Sequence, residues 1–162
     1  MIDKEKKAVD YLVVKELKKK SLTISVAESC TGGKIASLIT STPGASLYFK
    51  GSLVCYSKSS KINILKVSKD LIDSKGLVSK EVASEMATNA KVFFNSNIAL
   101  SVTGNAGPKR GDLKKKIGTI FIAIAKSSGV KVYKFYFSGD RDNIINSTIK
   151  HSFNLLYEEL IK

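Results

Sequence analysis

A serine, a tyrosine and a lysine fall within sixteen residues of one another as Ser46, Tyr56 and Lys61, a set that could cleave an acyl bond without histidine. A serine hydroxyl is a poor nucleophile until a neighbouring base takes its proton. A lysine desolvated among apolar groups has its pKa lowered toward neutrality and can be that base. A tyrosine hydroxyl can pass a proton to a leaving group or anchor the serine. The histidine count makes this set relevant. His151 is the sole histidine, so a site with two imidazoles within one chain is excluded and the histidine of a Ser-His-Asp triad is not expected. Two cysteines, Cys30 and Cys55, plus one histidine cannot form a four-ligand structural zinc site without carboxylates.

Three further segments leave apolar runs in polar or glycine-rich form. In Ala27-Glu28-Ser29-Cys30-Thr31-Gly32-Gly33, small and hydroxyl residues at a strand-to-helix turn let backbone N–H groups point at an anion, helped by the helix dipole. A helix start accounts for Thr31 and Gly32 but not for Glu28, a carboxylate closing an apolar strand. Cys30 near that helix start is the rival nucleophile to Ser46, with Lys61 or Glu28 assisting. Ser101 to Pro108 carries hydroxyl and glycine residues into a loop, which suits close approach of backbone to a ligand. Ser138-Gly139-Asp140-Arg141 places an arginine at a helix start, where a planar fork can hold phosphate or carboxylate. His151, in mid-helix, reads as structural, and Cys55 as a core residue.

The elements that must position these groups alternate along the chain. A helix is expected from Asp3 to Lys19, with Ala8, Leu12, Val13, Val14 and Leu17 on its apolar face. Strands are expected at Leu22–Ala27, Gly51–Tyr56 and Asn97–Thr103, the last apolar enough to be buried on both faces. Two more, Ile117–Ala125 and Val130–Phe137, flank Ser127-Ser128-Gly129 as a hairpin. A helix opens at Thr31-Gly32-Gly33 and is stopped by Pro43-Gly44; Ser57, Ser68 and Ser79 cap three more, and Ser138 or Asp140 starts the last. Its apolar face comprises Ile145, Ile149, Phe153, Leu156 and Leu160. This order gives one α/β domain across residues 1–162, a three-layer α/β/α arrangement around a mixed five-stranded sheet. Its ligand is expected at the carboxyl ends of the strands, where the loops after the first three converge.

Composition narrows the partners. Hydrophobic residues form 43% of the chain and charged residues 25%, enough apolar mass for a core and too much for a disordered polymer. No run approaches the roughly 20 apolar residues of a membrane span, and the charged start, Met1 to Lys7, is not a signal peptide. A cytoplasmic protein with reduced thiols is expected. The net charge of +13 invites a nucleic-acid reading. Only two of the 27 basic residues, Arg110 and Arg141, are arginines, however, and bidentate recognition favours arginine. The charge reads as solvated lysine surface able to attract small anions, with no specific nucleic-acid site.

Taken together, AESCTGG (Ala27 to Gly33), PGAS (Pro43 to Ser46), Val54-Cys55-Tyr56-Ser57 with Lys61, Gly76-Leu77-Val78-Ser79, VTGNAGP (Val102 to Pro108), Ile117-Gly118-Thr119 and SGDR (Ser138 to Arg141) resemble the CinA C-terminal domain family. Its enzymatic members are nicotinamide-mononucleotide amidohydrolases. The resemblance implies hydrolysis of the carboxamide of nicotinamide mononucleotide to nicotinate mononucleotide and ammonia, in pyridine-nucleotide recycling. It implies Ser46 as nucleophile with Lys61 and Tyr56 as partners, and a substrate pocket lined by Ser29, Cys30, Thr31, Gly32 and Gly33, by Thr103, Gly104, Ala106 and Gly107, by Gly118 and Thr119, and by Arg141. It implies no metal and no cofactor, a homodimer, no membrane partner, and the family's stand-alone form, without the second domain of full-length CinA proteins. The chain departs from the family at Asn105, where an apolar residue is usual, and in Lys109 to Lys116, where the family loop is glycine-rich and ends in Lys-Pro. The alternative function is a non-catalytic nucleotide-binding module.

Overall fold

The nearly continuous apolar run after residue 97 folds as β3 (Ile98–Gly104), whose first six residues are all buried, as expected of a strand covered on both faces. In this computed structural model, which describes the backbone of residues 4–162 and the side chains of residues 9–162, β3 is the centre of a five-stranded sheet. β1 (Ile24–Glu28) lies parallel to it on one side and β2 (Phe49–Val54) lies parallel to β1 at the edge. On the other side β4 (Thr119–Lys126) and β5 (Gly129–Tyr136) run antiparallel, giving the order β2-β1-β3-β4-β5. The hairpin turn is Ser127-Ser128, since Lys126 pairs with Gly129.

Period-two alternation divides the core. Along β4, Ile120, Ile122 and Ile124 face α1 (Lys4–Lys19), α2 (Lys34–Thr40) and α6 (Arg141–Ile161), where they meet Val13, Leu17, Ile35, Ile39, Phe153 and Leu156. Phe121, Ala123 and Ala125 point the other way. There Ala123 and Ala125, with Ala27 and Ala99, form a small-residue floor beside Phe121 for α5 (Lys80–Phe93), which packs Val82, Met86 and Ala90 against this face. α3 (Lys58–Asn63) and α4 (Lys69–Lys75) lie on the connection between β2 and α5. The mixed sheet between helical layers is the expected architecture.

The caps follow the hydroxyl and carboxyl residues. Ser57 and Ser60 form a reciprocal capping box at α3, and Ser68 and Ser79 accept from Leu71 and Val82. Asp140, not Ser138, caps α6 through Asn143 N–H. His151 is structural: Nδ1 sits 2.8 Å from the Ser147 carbonyl oxygen, and the ring packs against Phe135 and Phe137 at 4.9 and 4.8 Å. β2 ends two residues before the expected boundary, so Cys55 and Tyr56 belong to the loop after it. The Met1–Lys7 segment and Ala8's place on the first helix lie outside the described side chains. No helix among the described residues is long and apolar enough to cross a membrane.

Candidate active site

Lys61 is the largest charged side chain buried among the described residues. The capping box at Ser57 starts α3 immediately after the β2 loop, and Lys61 N–H bonds back to Ser57 O at 3.2 Å. That single turn places Lys61 inward with 2% of its surface exposed. Its Nζ donates to Ser29 Oγ at 2.9 Å and to the Cys55 carbonyl at 2.6 Å. No carboxylate among the described residues is paired with it, and burial pulls the ammonium down to about 8, opposed by the Cys55 and Cys30 sulphurs.

Strand pairing explains why Ser29 is its partner. β1 and β2 are parallel, with Glu28 opposite Val54, and Cys55 N–H continues the ladder to Glu28 O at 2.8 Å. Ser29 and Cys55 therefore leave the sheet side by side above α3. Ser46 lies elsewhere. It is exposed on a single 3-10 turn, Ala45–Leu47, that precedes β2, whereas Tyr56 follows β2. Parallel pairing thus puts Ser46 at the end of the sheet away from Lys61. The hydroxyl against the buried ammonium is that of Ser29, and this corrects the expected pairing of Ser46 with Lys61.

Glu28 has a local explanation. Fully buried, its carboxylate accepts from Thr31 Oγ1 at 2.6 Å and from the N–H groups of Gly33, Ile35 and Ala36 at 3.0, 3.2 and 2.9 Å. It neutralises the positive end of α2 from within, so the anion expected at this helix start is one of the protein's own side chains. Gly33 sits at the N-cap with φ of 92°, which a side chain would strain. Gly32 N–H bonds to Ser29 O at 3.1 Å, tying the turn that carries the serine.

A cavity of about 320 Å³ opens over this pair at the carboxyl ends of β1, β2 and β3. Of the expected residues it is lined by Ser29, Cys30, Tyr56, Lys61, Thr103, Gly104, Ala106, Gly107 and Arg141. Ser46, Thr31, Gly32, Gly33, Gly118 and Thr119 do not line it. Thr31 and Gly33 serve Glu28 instead. Gly118 (φ 88°) and Thr119 stand behind the wall: Gly118 donates to Asn105 O at 2.7 Å, Thr119 O accepts from Asn105 N–H at 3.0 Å, and a Cβ on Gly118 would meet Phe137 O at 2.0 Å. Ser57, Lys58, Leu77, Val78, Asn105, Lys109 and Gly111 complete the lining. Ser57, Leu77, Val78 and Asn105 lie in the segments that carry the family resemblance, whereas Lys58, Lys109 and Gly111 carry no sequence signal of their own.

The rest of the lining is held firmly. Thr103 Oγ1 donates to Leu77 O at 2.9 Å. Arg141, at the start of α6, donates to Gly107 O at 2.5 Å and to Tyr56 Oη at 2.9 Å, so the mostly exposed tyrosine at the mouth is bound to the arginine and not to Ser29 or Lys61. Cys30 is buried, and burial pushes its thiol up to about 11, the reverse of an activated nucleophile. Asn105 organises the loop in which the chain departs from its resemblance: Nδ2 donates to Asp112 O and Lys115 O at 2.8 and 3.0 Å, and Oδ1 accepts from Asp112 N–H at 3.0 Å. Asp112, itself buried, accepts from Val78 and Lys114 N–H groups at 2.8 Å each. Among the described residues no three His, Cys, Asp or Glu side chains are grouped so as to hold a metal ion.

The comparisons with known proteins agree with one another. A family model described as the CinA C-terminal domain matches residues 6–160. A CinA-like protein of Flavobacterium psychrophilum is 45% identical over 158 residues, covering 98% of this chain and 38% of that protein. A CinA-like protein of Fervidobacterium nodosum is 44% identical over 160 residues, covering 99% of this chain and 38% of that protein. The chain thus spans 38% of the length of these curated relatives. Among solved structures, the competence/damage inducible protein CihA from Agrobacterium tumefaciens superposes with a TM-score of 0.92 at 28% identity, covering 100% of this chain and 99% of that one. A competence or damage-inducible protein from Enterobacter asburiae gives a TM-score of 0.90 at 26% identity, with 94% and 96% covered. With the family model and these relatives matching nearly its whole length, the chain belongs to the CinA C-terminal domain family.

Proposed function

We propose that this chain is an amidohydrolase that converts nicotinamide mononucleotide to nicotinate mononucleotide and ammonia, with Ser29 as nucleophile and Lys61 as its base. The observation that carries the reading is the 2.9 Å contact between the Ser29 hydroxyl and a buried lysine whose pKa is pulled to about 8. Membership of the family supports the substrate.

In the neutral form Lys61 accepts the Ser29 proton as Oγ attacks the carboxamide carbon. The tetrahedral oxyanion needs donors. Ala106 and Gly107 line the cavity, and their N–H groups make no hydrogen bond among the described residues, so they are free to serve. Collapse expels ammonia, protonated by the Lys61 ammonium, and leaves a nicotinoyl ester on Ser29. Water, losing a proton to Lys61, attacks that ester, and nicotinate mononucleotide departs as Ser29 recovers its proton. The pyridinium charge of the substrate makes the amide carbon more electrophilic. It also favours the neutral state of a lysine beside it.

In this scheme Tyr56 and Arg141 shape the mouth and bind substrate, and Tyr56 relays no proton. Cys30 packs beside the nucleophile without replacing it. A cytoplasmic, homodimeric protein is part of the same proposal, on the strength of the family likeness. The test is ammonia release from nicotinamide mononucleotide by the purified protein between pH 6 and 9. Release supports the reading. Stabilisation by the nucleotide without release at any pH would leave a binding module in its place.

A further inference from the structure

A phosphate entering a strand-to-helix site of this topology ordinarily takes the N-terminus of the helix. Here that position belongs to Glu28, whose carboxylate already accepts four donors there. A second anion would meet a buried negative charge instead of free N–H groups. The phosphate must be bound by other groups.

The cavity lining contains four cationic side chains, Lys58, Lys61, Lys109 and Arg141, and no aspartate or glutamate. Lys61 is committed to Ser29 and has to be neutral to act. Lys58 is paired with Asp73. Arg141 uses two N–H groups on Gly107 O and Tyr56 Oη, which leaves three of the five guanidinium donors. Lys109 makes no hydrogen bond or ion pair among the described residues, yet the backbone that carries it is fixed. Two residues before it, Gly107 O is held by Arg141. Three residues after it, Asp112 is clamped by Asn105 and Val78. An unpaired cation on a braced segment, lining the same cavity as an arginine with free donors, suits a doubly charged tetrahedral anion.

We infer that Lys109 and Arg141 form the subsite for the phosphate monoester of the substrate, and that Lys109 supplies a large part of this chain's discrimination between nucleotide and nucleoside. The inference rests on the nucleotide reading above but not on turnover. Asn105 and Asp112, in the segment where the chain departs from its family, hold the lysine in place.

The experiment is calorimetric titration of the wild-type protein, Lys109→Ala and Lys109→Arg with nicotinate mononucleotide and with nicotinate riboside, which lacks the phosphate. Thermal melts confirm that each variant is folded. Wild-type protein is expected to bind the nucleotide at least about tenfold more tightly than the riboside, as suits a charge-assisted contact. Lys109→Ala should narrow that preference at least about threefold by weakening the nucleotide alone, Arg141 keeping the remainder, and Lys109→Arg should restore most of the difference. The inference is overturned if Lys109→Ala weakens both ligands equally, if it changes neither, or if wild-type protein binds neither or does not distinguish them. Absence of ammonia release alongside a Lys109-dependent preference would instead remove the hydrolase reading and leave the subsite standing.

Discussion

If neutral Lys61 is the base, activity must follow its titration. Burial sets that titration at about 8, so the neutral fraction is about one tenth at pH 7 and about nine tenths at pH 9. At substrate well below KM, kcat/KM for ammonia release should therefore rise about tenfold over that interval with a midpoint near 8, reporting the free enzyme. The midpoint for kcat should lie lower, because the bound pyridinium favours loss of the ammonium proton. Stability must follow the same group. Its folded pKa, about 8, lies below the unfolded value of about 10.5. Between those values the unfolded chain binds more protons, and the folded state gains stability as pH rises through the window. Below about 8 the cost of the buried charge is fully present, about 3 kcal/mol. Urea unfolding of wild-type protein and Lys61→Met across pH 7 to 10.5 isolates this contribution, because the other lysines cancel. The wild type should gain about 3 kcal/mol relative to the variant as pH rises. A pH-independent kcat/KM, or a difference in stability that stays flat, would refute a desolvated lysine as the base.

Three other substitutions probe the surroundings. Ser46→Ala should leave ammonia release within about twofold of wild type, since that serine is exposed on the turn before β2 and outside the cavity; a large loss in a folded variant would return it to the site. Glu28→Gln should cost about 3 kcal/mol in urea denaturation, because an amide cannot serve four donors that now converge on a buried carboxylate. A change under about 0.5 kcal/mol would mean that the carboxylate does not hold α2. Cys30→Ser should keep most of the activity, and iodoacetamide should inactivate the wild type only slowly at pH 7, given a thiol pushed up to about 11. Fast stoichiometric inactivation would speak against that environment.

Much of the framework was legible because it rests on local chemistry. Ser57, Ser68 and Ser79 capped the helices they precede, and the unbroken apolar run into Thr103 folded as the central strand. Lys61 was marked out by the family resemblance; from spacing alone it is one lysine among many, a turn into a short polar helix. What could not be read was its partner. Placing Ser46, Tyr56 and Lys61 together requires the loop that enters β2 to reach the loop that leaves it, and the strand between them prevents that. A strand of six residues at about 3.3 Å per residue separates its ends by roughly 20 Å. The missing information was the parallel register of β1 and β2, a long-range pairing that brings Ser29 beside Cys55 and is written in neither segment alone. Glu28 illustrates the same limit: its oddity at the end of an apolar strand was visible, but its four donors depend on how α2 turns back over it. Lys109 was hidden differently, in a lysine-rich loop whose order comes from Asn105 and Asp112.

The measurement that bears most directly on the account is ammonia release from nicotinamide mononucleotide by Ser29→Ala, made beside the wild type at pH 9 with folding checked by thermal melt. Removal of the hydroxyl that Lys61 holds should lower kcat by about a thousandfold or more. A folded Ser29→Ala protein that keeps more than about a tenth of wild-type activity would contradict the assignment of nucleophile and base.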